Sequence, residues 1–299
     1  WGENDQLGTL NYITPQKIIE AARLVKTGKV INVAIDLRPG TPSWPGRIYK
    51  HTMDFIAPSY SPEGGAGGSD DMIIMHQQYS TQWDALPHYF FDGKMYNGYP
   101  ASRVTVDGTR ELSVHSWSAR MVSRGVLLDM ARLKKVPALE RGYIITPTDL
   151  EAAAANQNVA IEPGDILLIR TGWIKVMSRW PTPLRANDPF ILGEPGLGLQ
   201  AAKWLKDKMI AAVAMDNMAV EAIPFDPEAL LKVTDKGSKA FPLHVEFLVN
   251  QGMPIGEIFD FEELAENCAS DGVYQFLFVA PPLRIVGGVG SPLSPLAIK

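Results

Sequence analysis

Residues 165–171 read Asp-Ile-Leu-Leu-Ile-Arg-Thr, and this short run indicates the kind of fold that the chain forms. It is apolar at its centre and contains the β-branched residues Ile166 and Ile169, a composition that predicts a β-strand. Outward from it, four further runs of similar composition predict strands over residues 30–37, 125–129, 210–215 and 274–279.

Helix signals lie between these runs. Thr14 can cap and Pro15 can open a helix whose apolar residues continue at helical spacing to Val25, with Gly28 just past its end. Three more helices are predicted over residues 148–156, 198–209 and 242–251. The predicted strands outnumber the helices and do not alternate strictly with them. We therefore expect an α/β fold with a single mixed-sheet domain over residues 1–299 and helices packed around a curved sheet. A doubly wound nucleotide-binding fold is not expected.

Composition excludes several classes of protein. The chain has 299 residues, of which 46% are hydrophobic and 20% charged, which is ordinary for a globular protein and not for a disordered one. Its net charge of −5 argues against a nucleic-acid partner, and it lacks an apolar run long enough to span a membrane. Cys268 is the only cysteine, so we expect a reducing compartment and a cytoplasmic protein.

The densest polar stretch is residues 76–88, His-Gln-Gln-Tyr-Ser-Thr-Gln-Trp-Asp-Ala-Leu-Pro-His. Gln78, Gln82, Asp84 and His88 are separated by even numbers of residues, so in an extended segment their side chains would point to one face. Because such a face is costly to bury without polar partners, it either lines a polar cavity or faces solvent. The spacing leaves both interpretations open. The aromatic residues at 83 and 89–91 favour the wall of a cavity.

A second polar pair is His244 and Glu257, thirteen positions apart on either side of the predicted helix end at Gly252. Each residue taken alone is more often a surface or capping residue than a ligand. Neither is therefore specific evidence for a site.

Four segments of the chain together are similar to one family. They are Trp-Gly-Glu-Asn-Asp-Gln-Leu-Gly-Thr-Leu-Asn (1–11), Arg-Gly-Val-Leu-Leu-Asp (124–129), Gly-Asp-Ile-Leu-Leu-Ile-Arg-Thr-Gly-Trp (164–173) and Pro-Pro-Leu-Arg-Ile-Val-Gly-Gly-Val-Gly-Ser-Pro (281–292). In this order they resemble the bacterial cyclase-like metal-dependent hydrolases, which include kynurenine formamidase and isatin hydrolase. The resemblance spans nearly the whole chain. It implies the cyclase-like, swivelling β/β/α type of mixed-sheet fold.

The family signature has the form H-x-G-T-H-x-D-x-P-x-H. Thr81, Asp84 and His88 match its threonine, aspartate and last histidine. The first two histidines, which are metal ligands in the family, are replaced here by Gln78 and Gln82, and the proline is displaced by one position. The form Thr-Gln-Trp-Asp with a following histidine resembles a branch of the family. Downstream, the resemblance places two more ligands at His244 and Glu257.

The resemblance thus implies a divalent metal site, with five candidate ligands: Gln78, Gln82, Asp84, His244 and Glu257. Zinc favours nitrogen and sulfur donors, whereas this set offers mostly oxygen. We therefore expect manganese to be favoured over zinc. A site that binds no metal is left open.

The resemblance also implies the reaction, which is metal-assisted hydrolysis of an amide, formamide, lactam or lactone in a small aryl-type substrate, of the arylformamidase or isatin hydrolase kind. Kynurenine-type metabolism would be its setting. His88 is the expected proton shuttle and Asp84 the second catalytic residue, while Trp83, Phe90 and Trp173 are candidates to stack on the substrate. The expected assembly is a homodimer or homotetramer.

Two alternatives stay open at this point. One is a cyclase or dehydratase that uses Asp84 and His88 for acid–base chemistry without hydrolysis. The other is a metal-free protein that binds a small molecule in the same cavity.

Overall fold

The computed structural model describes residues 1–54, 64, 66–179, 193–234 and 241–299. Its strands are β1 (Val30–Asn32), β2 (Tyr49–Met53), β3 (Asp71–Met75), β4 (Gln82–Asp84), β5 (Val122–Asp129), β6 (Ile144–Ile145), β7 (Ile166–Arg170), β8 (Gly196–Leu197), β9 (Ala212–Met215), β10 (Ile255–Glu257), β11 (Gln275–Val279), β12 (Gly290–Pro292) and β13 (Leu296–Ile298).

Short and medium helices surround these strands. The α-helices are α1 (Pro15–Ala22), α2 (Met130–Leu133), α3 (Pro147–Asn156), α4 (Trp173–Met177), α5 (Leu199–Asp207), α6 (Pro227–Thr234), α7 (Pro242–His244) and α8 (Glu262–Asp271). A π-helix over Val245–Gln251 continues α7. Short 3₁₀-helices span Gly8–Tyr12, Leu86–His88, Tyr96–Gly98, Ala101–Arg103 and Val114–Trp117.

One curled sheet of nine strands organises the fold, in the order β1-β13-β11-β5-β7-β9-β10-β4-β12. The four central strands β5, β7, β9 and β10 run parallel to one another. The strands on either side of this group pair in antiparallel fashion. All five residues of β7 are buried, as expected for a central parallel strand that is covered on both faces. The mixed α/β architecture predicted from the sequence is confirmed.

Local interactions explain where the observed elements differ from the predicted ones. The strand predicted over 30–37 ends at Asn32, whose side-chain oxygen accepts a hydrogen bond from the Ala34 amide and so competes with strand pairing. Helix α3 begins one residue earlier than predicted, because Thr146 and Asp149 form a reciprocal capping box around Pro147. The predicted helix over 242–251 is confirmed, although most of it is π-helical.

Within the described ranges, no helix is both long and apolar enough to cross a bilayer.

Candidate active site

The pairing of β4 with β10 builds the floor of the site. The two strands are antiparallel, with Gln82 opposite Glu257 and Trp83 opposite Gly256. Because side chains alternate along a strand, Gln82 and Asp84 share one face of β4 and Trp83 points to the other. Trp83 fills the space above Gly256, where an added Cβ would lie 2.6 Å from the indole ring. The pairing therefore places polar side chains on one face and core packing on the other.

Three buried ligand atoms converge on the polar face. They belong to Asp84 on β4, Glu257 on β10 and His244 at the end of α7, and all three lie within 4.8 Å of one another. His244 Nε2 is 3.9 Å from Asp84 Oδ2 and 3.3 Å from Glu257 Oε1. We call Asp84, His244 and Glu257 the ligand triad.

Glu221 fixes the orientation of His244. Its Oε1 accepts a hydrogen bond from His244 Nδ1 at 2.8 Å, and its two carboxylate oxygens also accept from the backbone amides of Leu243 and His244. With the Nδ1 proton directed at Glu221, Nε2 is the nitrogen that faces the two triad carboxylates. Such a carboxylate behind a histidine commonly orients a metal ligand.

Two oxygens of the triad lack hydrogen-bond partners within the part of the chain that the structure describes: Asp84 Oδ2 and Glu257 Oε1, both buried. An unpaired buried carboxylate oxygen carries a large desolvation cost. Two such atoms beside Nε2 of His244 fit the ligand requirements of a divalent cation once that nitrogen has released its proton. The residues present therefore fit the metal that the family resemblance implies.

His88 lies at the edge of the triad. It ends the 3₁₀-helix Leu86–His88 directly after β4, and its Nε2 is 3.7 Å from Asp84 Oδ2. Burial lowers the pKa of His88 below its usual value, although the negative charge of Asp84 acts in the opposite direction. His88 is therefore neutral at neutral pH, which is the state a general base requires.

The four polar residues of the sequence motif converge, although not through one extended segment. Only Gln82–Asp84 is a strand, and the chain bends on both sides of it, at the 3₁₀-helix and at Ser80, whose φ is 63°. Ser80 occupies the position that is glycine in the family signature. The positive φ at this position explains why the signature has glycine there, since glycine adopts positive φ without strain. The bend before β4 brings Gln78 back toward His88, with 3.4 Å between Gln78 Nε2 and His88 Nδ1.

The two glutamines differ in their relation to the triad. Gln82 directs its amide nitrogen at the carboxylates, donating to Glu257 Oε2 at 2.7 Å and to Asp84 Oδ1 at 3.4 Å. In this orientation it acts as a hydrogen-bond donor to the ligand triad, since an amide nitrogen does not ligate a cation. Gln78 contacts His88 instead. The structure thus brings both predicted ligands to the site, where Gln82 presents its amide nitrogen to the triad and Gln78 contacts His88.

A cavity of about 100 Å³ lies beside the triad, with His88, His244 and Glu257 in its wall. Its aromatic lining comes from Trp44, Tyr89 and Phe241. The Tyr89 and Phe241 rings lie 5.2 and 5.1 Å from the imidazole of His244, and Trp44 meets Phe241 edge-on at 5.4 Å. Tyr89 is one of the aromatic residues beside the motif that the sequence associates with a cavity wall, whereas Trp44 and Phe241 were not identified because they are distant from the motif in the chain.

The structure places the three predicted stacking residues elsewhere. Trp83 is fully buried, donates from its indole to the Ala280 carbonyl and packs on Phe259. Phe90 is 56% exposed to solvent. Trp173 is buried in a small hydrophobic cluster with Ile174, Met177, Met218 and Ile258. None of the three is among the described residues that line the cavity beside the triad.

The family described as "Putative cyclase" matches residues 31–222, well over half of the chain. The protein belongs to this family, which confirms the family resemblance drawn from the sequence. The matched region contains the motif and Glu221, whereas His244 and Glu257 lie beyond it. A comparison with curated proteins finds no match.

Solved structures agree with the family. A protein described as a novel cyclase is 38% identical, with 100% of this chain and 96% of that chain covered and a TM-score of 0.89. Isatin hydrolase A from Labrenzia aggregata, bound to benzyl benzoate, is 18% identical over 94% and 97% of the two chains, with a TM-score of 0.60. A "predicted metal-dependent hydrolase" from Bacillus stearothermophilus is 19% identical over 90% and 97%, with a TM-score of 0.54. The last two share the fold.

Metal affinity should rise with pH. Burial lowers the pKa of His244, but the carboxylates of Glu221 and Glu257 outweigh it and raise the pKa to about 10 when no cation is bound. His244 must release this proton before Nε2 can ligate a cation. As the pH rises toward that pKa, Kd for Mn²⁺ should therefore fall by up to about tenfold per pH unit. Calorimetric titration in buffers of different ionisation enthalpy measures the proton released. Glu221→Gln should flatten the dependence. An affinity independent of pH in the wild type would contradict this assignment.

Proposed function

We propose that the protein is a metal-dependent hydrolase that cleaves an amide, formamide, lactam or lactone bond in a small aryl-type molecule. The observation that carries the proposal is the ligand triad itself, with two buried carboxylate oxygens and an oriented imidazole nitrogen beside a neutral His88. Membership in the cyclase family and a fold shared with isatin hydrolases support it.

Asp84, Glu257 and His244 would hold the cation. When bound, a divalent ion would supply Lewis acidity toward the carbonyl and would lower the pKa of an attacking water toward ~7. Two carboxylates and one imidazole form a hard donor set, so we propose manganese in preference to zinc. Gln82 positions both carboxylates through its amide hydrogen bonds.

His88 would move the proton. Its Nε2 is the nitrogen nearer to Asp84, where it can take a proton from the attacking water and pass it to the leaving nitrogen or oxygen. The same transfer suits both halves of hydrolysis, because one proton is removed from water and one is needed by the leaving group. Trp44, Tyr89 and Phe241 would pack on the aryl part of the substrate and exclude water from it.

The metal preference can be tested by thermal unfolding of metal-stripped protein. Mn²⁺ should raise the melting temperature more than Zn²⁺ does, since a ligand bound by the folded state stabilises it. The double variant Gln78→His/Gln82→His should shift the preference toward Zn²⁺. Gln200→His, on the exposed face of α5, serves as the matched control. Stabilisation of the wild type by Zn²⁺ alone would refute the argument from donor hardness. No response to any ion would favour the metal-free binding protein.

His88→Ala should separate proton transfer from metal binding. Metal content and melting temperature should stay as in the wild type, while turnover falls by roughly 10²–10⁴-fold, the usual effect of losing an acid–base group. The wild-type rate should drop on the acidic side, below a pH set by the lowered pKa of His88, and this limb should vanish in the variant. N-formylanilines, isatins and aryl lactones are the substrates to screen.

The control for His88→Ala is His51→Ala, which removes an exposed imidazole on the hairpin of β2 and β3. Full activity with an unaltered pH profile in His88→Ala would remove His88 from the mechanism. Turnover in ¹⁸O-water identifies the reaction class, because hydrolysis places the label in the product and a cyclase or dehydratase does not.

A further inference from the structure

Arg47 is a cationic side chain that the hydrolytic mechanism does not use. It lies in the wall of the cavity beside the triad, together with His88 and Glu257. Its Nη1 donates to the backbone carbonyl of Gln78 at 2.6 Å and to Gln82 Oε1 at 3.5 Å. Among the residues that the structure describes, Nε and Nη2 have no hydrogen-bond partner, and no carboxylate forms an ion pair with the guanidinium. One edge of the Arg47 guanidinium is thus held by hydrogen bonds to Gln78 and Gln82, and the other edge can donate to a ligand.

The position of Arg47 relative to the triad limits what it can bind. The Gln82 amide lies between them, receiving a hydrogen bond from Arg47 at one end and donating to Glu257 at the other. The guanidinium is therefore separated from the ligand atoms by the length of an amide group. It is suitably placed for a second polar group of the substrate, not for the carbonyl at the triad.

Two cavities meet at Arg47. The cavity beside the triad measures about 100 Å³, and a second one of about 470 Å³ shares Trp44 and Arg47 with it and extends toward Tyr49 and Tyr79. A substrate larger than the cavity beside the triad can extend past the guanidinium into the second cavity. Arg47 is the only lysine or arginine among the described residues that line either cavity.

We propose that Arg47 binds a carboxylate carried by the substrate, so that the enzyme acts on carboxylate-bearing aryl amides or lactones. A guanidinium with free donors pairs well with a planar carboxylate. A monoanion fits better than a phosphate dianion, because the buried carboxylates of Asp84, Glu221 and Glu257 are close by and Arg47 is the single guanidinium among the described residues that line the two cavities. The inference deepens the proposed function and rests on it for the bond that is cleaved.

A binding experiment tests the inference without turnover. Benzoate and its neutral isostere benzamide are titrated calorimetrically into Mn²⁺-loaded protein, as wild type and as Arg47→Met. Benzoate should bind the variant at least about tenfold more weakly, while the affinity for benzamide changes by less than about threefold. Arg103→Met removes the same charge from the exposed surface and should match the wild type.

The binding results separate the possible outcomes. Equal benzoate affinity in wild type and Arg47→Met would mean that any carboxylate is held by the metal alone, and it would overturn the inference. Equal losses for both probes would assign Arg47 a structural role through Gln78 and Gln82, with the same consequence. Failure of the wild type to bind benzoate also counts against the inference. Because none of these results depends on hydrolysis, they do not depend on whether the proposed reaction is correct.

Turnover gives an independent measurement if a formamide is a substrate. We expect 2-formamidobenzoate to exceed formanilide in kcat/KM, and Arg47→Met to abolish this preference mainly through KM. Arg47→Lys should restore part of it, since an ammonium keeps the charge but not the two-point geometry. A preference for the anion that survives in Arg47→Met would contradict the assignment.

Discussion

The site depends on the antiparallel pairing of β4 with β10. That pairing sets Gln82 opposite Glu257, keeps Asp84 on the same face and sends Trp83 into the core against Gly256. A register shift by one residue would exchange these faces and place the indole where the carboxylate lies. The core packing of Trp83 and the polar face of the site are therefore two results of one strand register. The parallel strands β9 and β10 then connect this register to the centre of the sheet.

Charge balance is the second constraint. Asp84, Glu221 and Glu257 are all buried around His244, and burying several carboxylates together is costly unless positive charge compensates them. Without a cation, protonated His244 supplies that charge. With a divalent cation bound, the imidazole of His244 would be neutral and the ion would compensate the carboxylates. The single positive charge of the imidazolium would thus be replaced by the double charge of the ion, so that the buried carboxylates have a compensating cation in both states.

Much of the fold could be predicted from the sequence, because the deciding signals are local. Thr14 before Pro15 marks the start of α1, and the apolar run over 166–169 marks a central strand. The motif and the family resemblance predict Asp84, His88, His244 and Glu257 as site residues. The structure brings these four side chains together. Arg47, Glu221 and Phe241 were missed, because their roles arise from contacts between segments far apart in sequence. The orientation of the Gln82 amide likewise depends on Arg47 and Glu257, which no spacing rule could predict.

We propose that one imidazole and two carboxylates form the metal site. Pulsed electron paramagnetic resonance of the Mn²⁺-loaded protein tests it directly, because modulation from ¹⁴N reports how many nitrogens ligate the ion. We predict one coordinated histidine nitrogen, which is lost in His244→Gln and kept in His88→Ala. Detection of no coordinated nitrogen, or of two, would contradict the account.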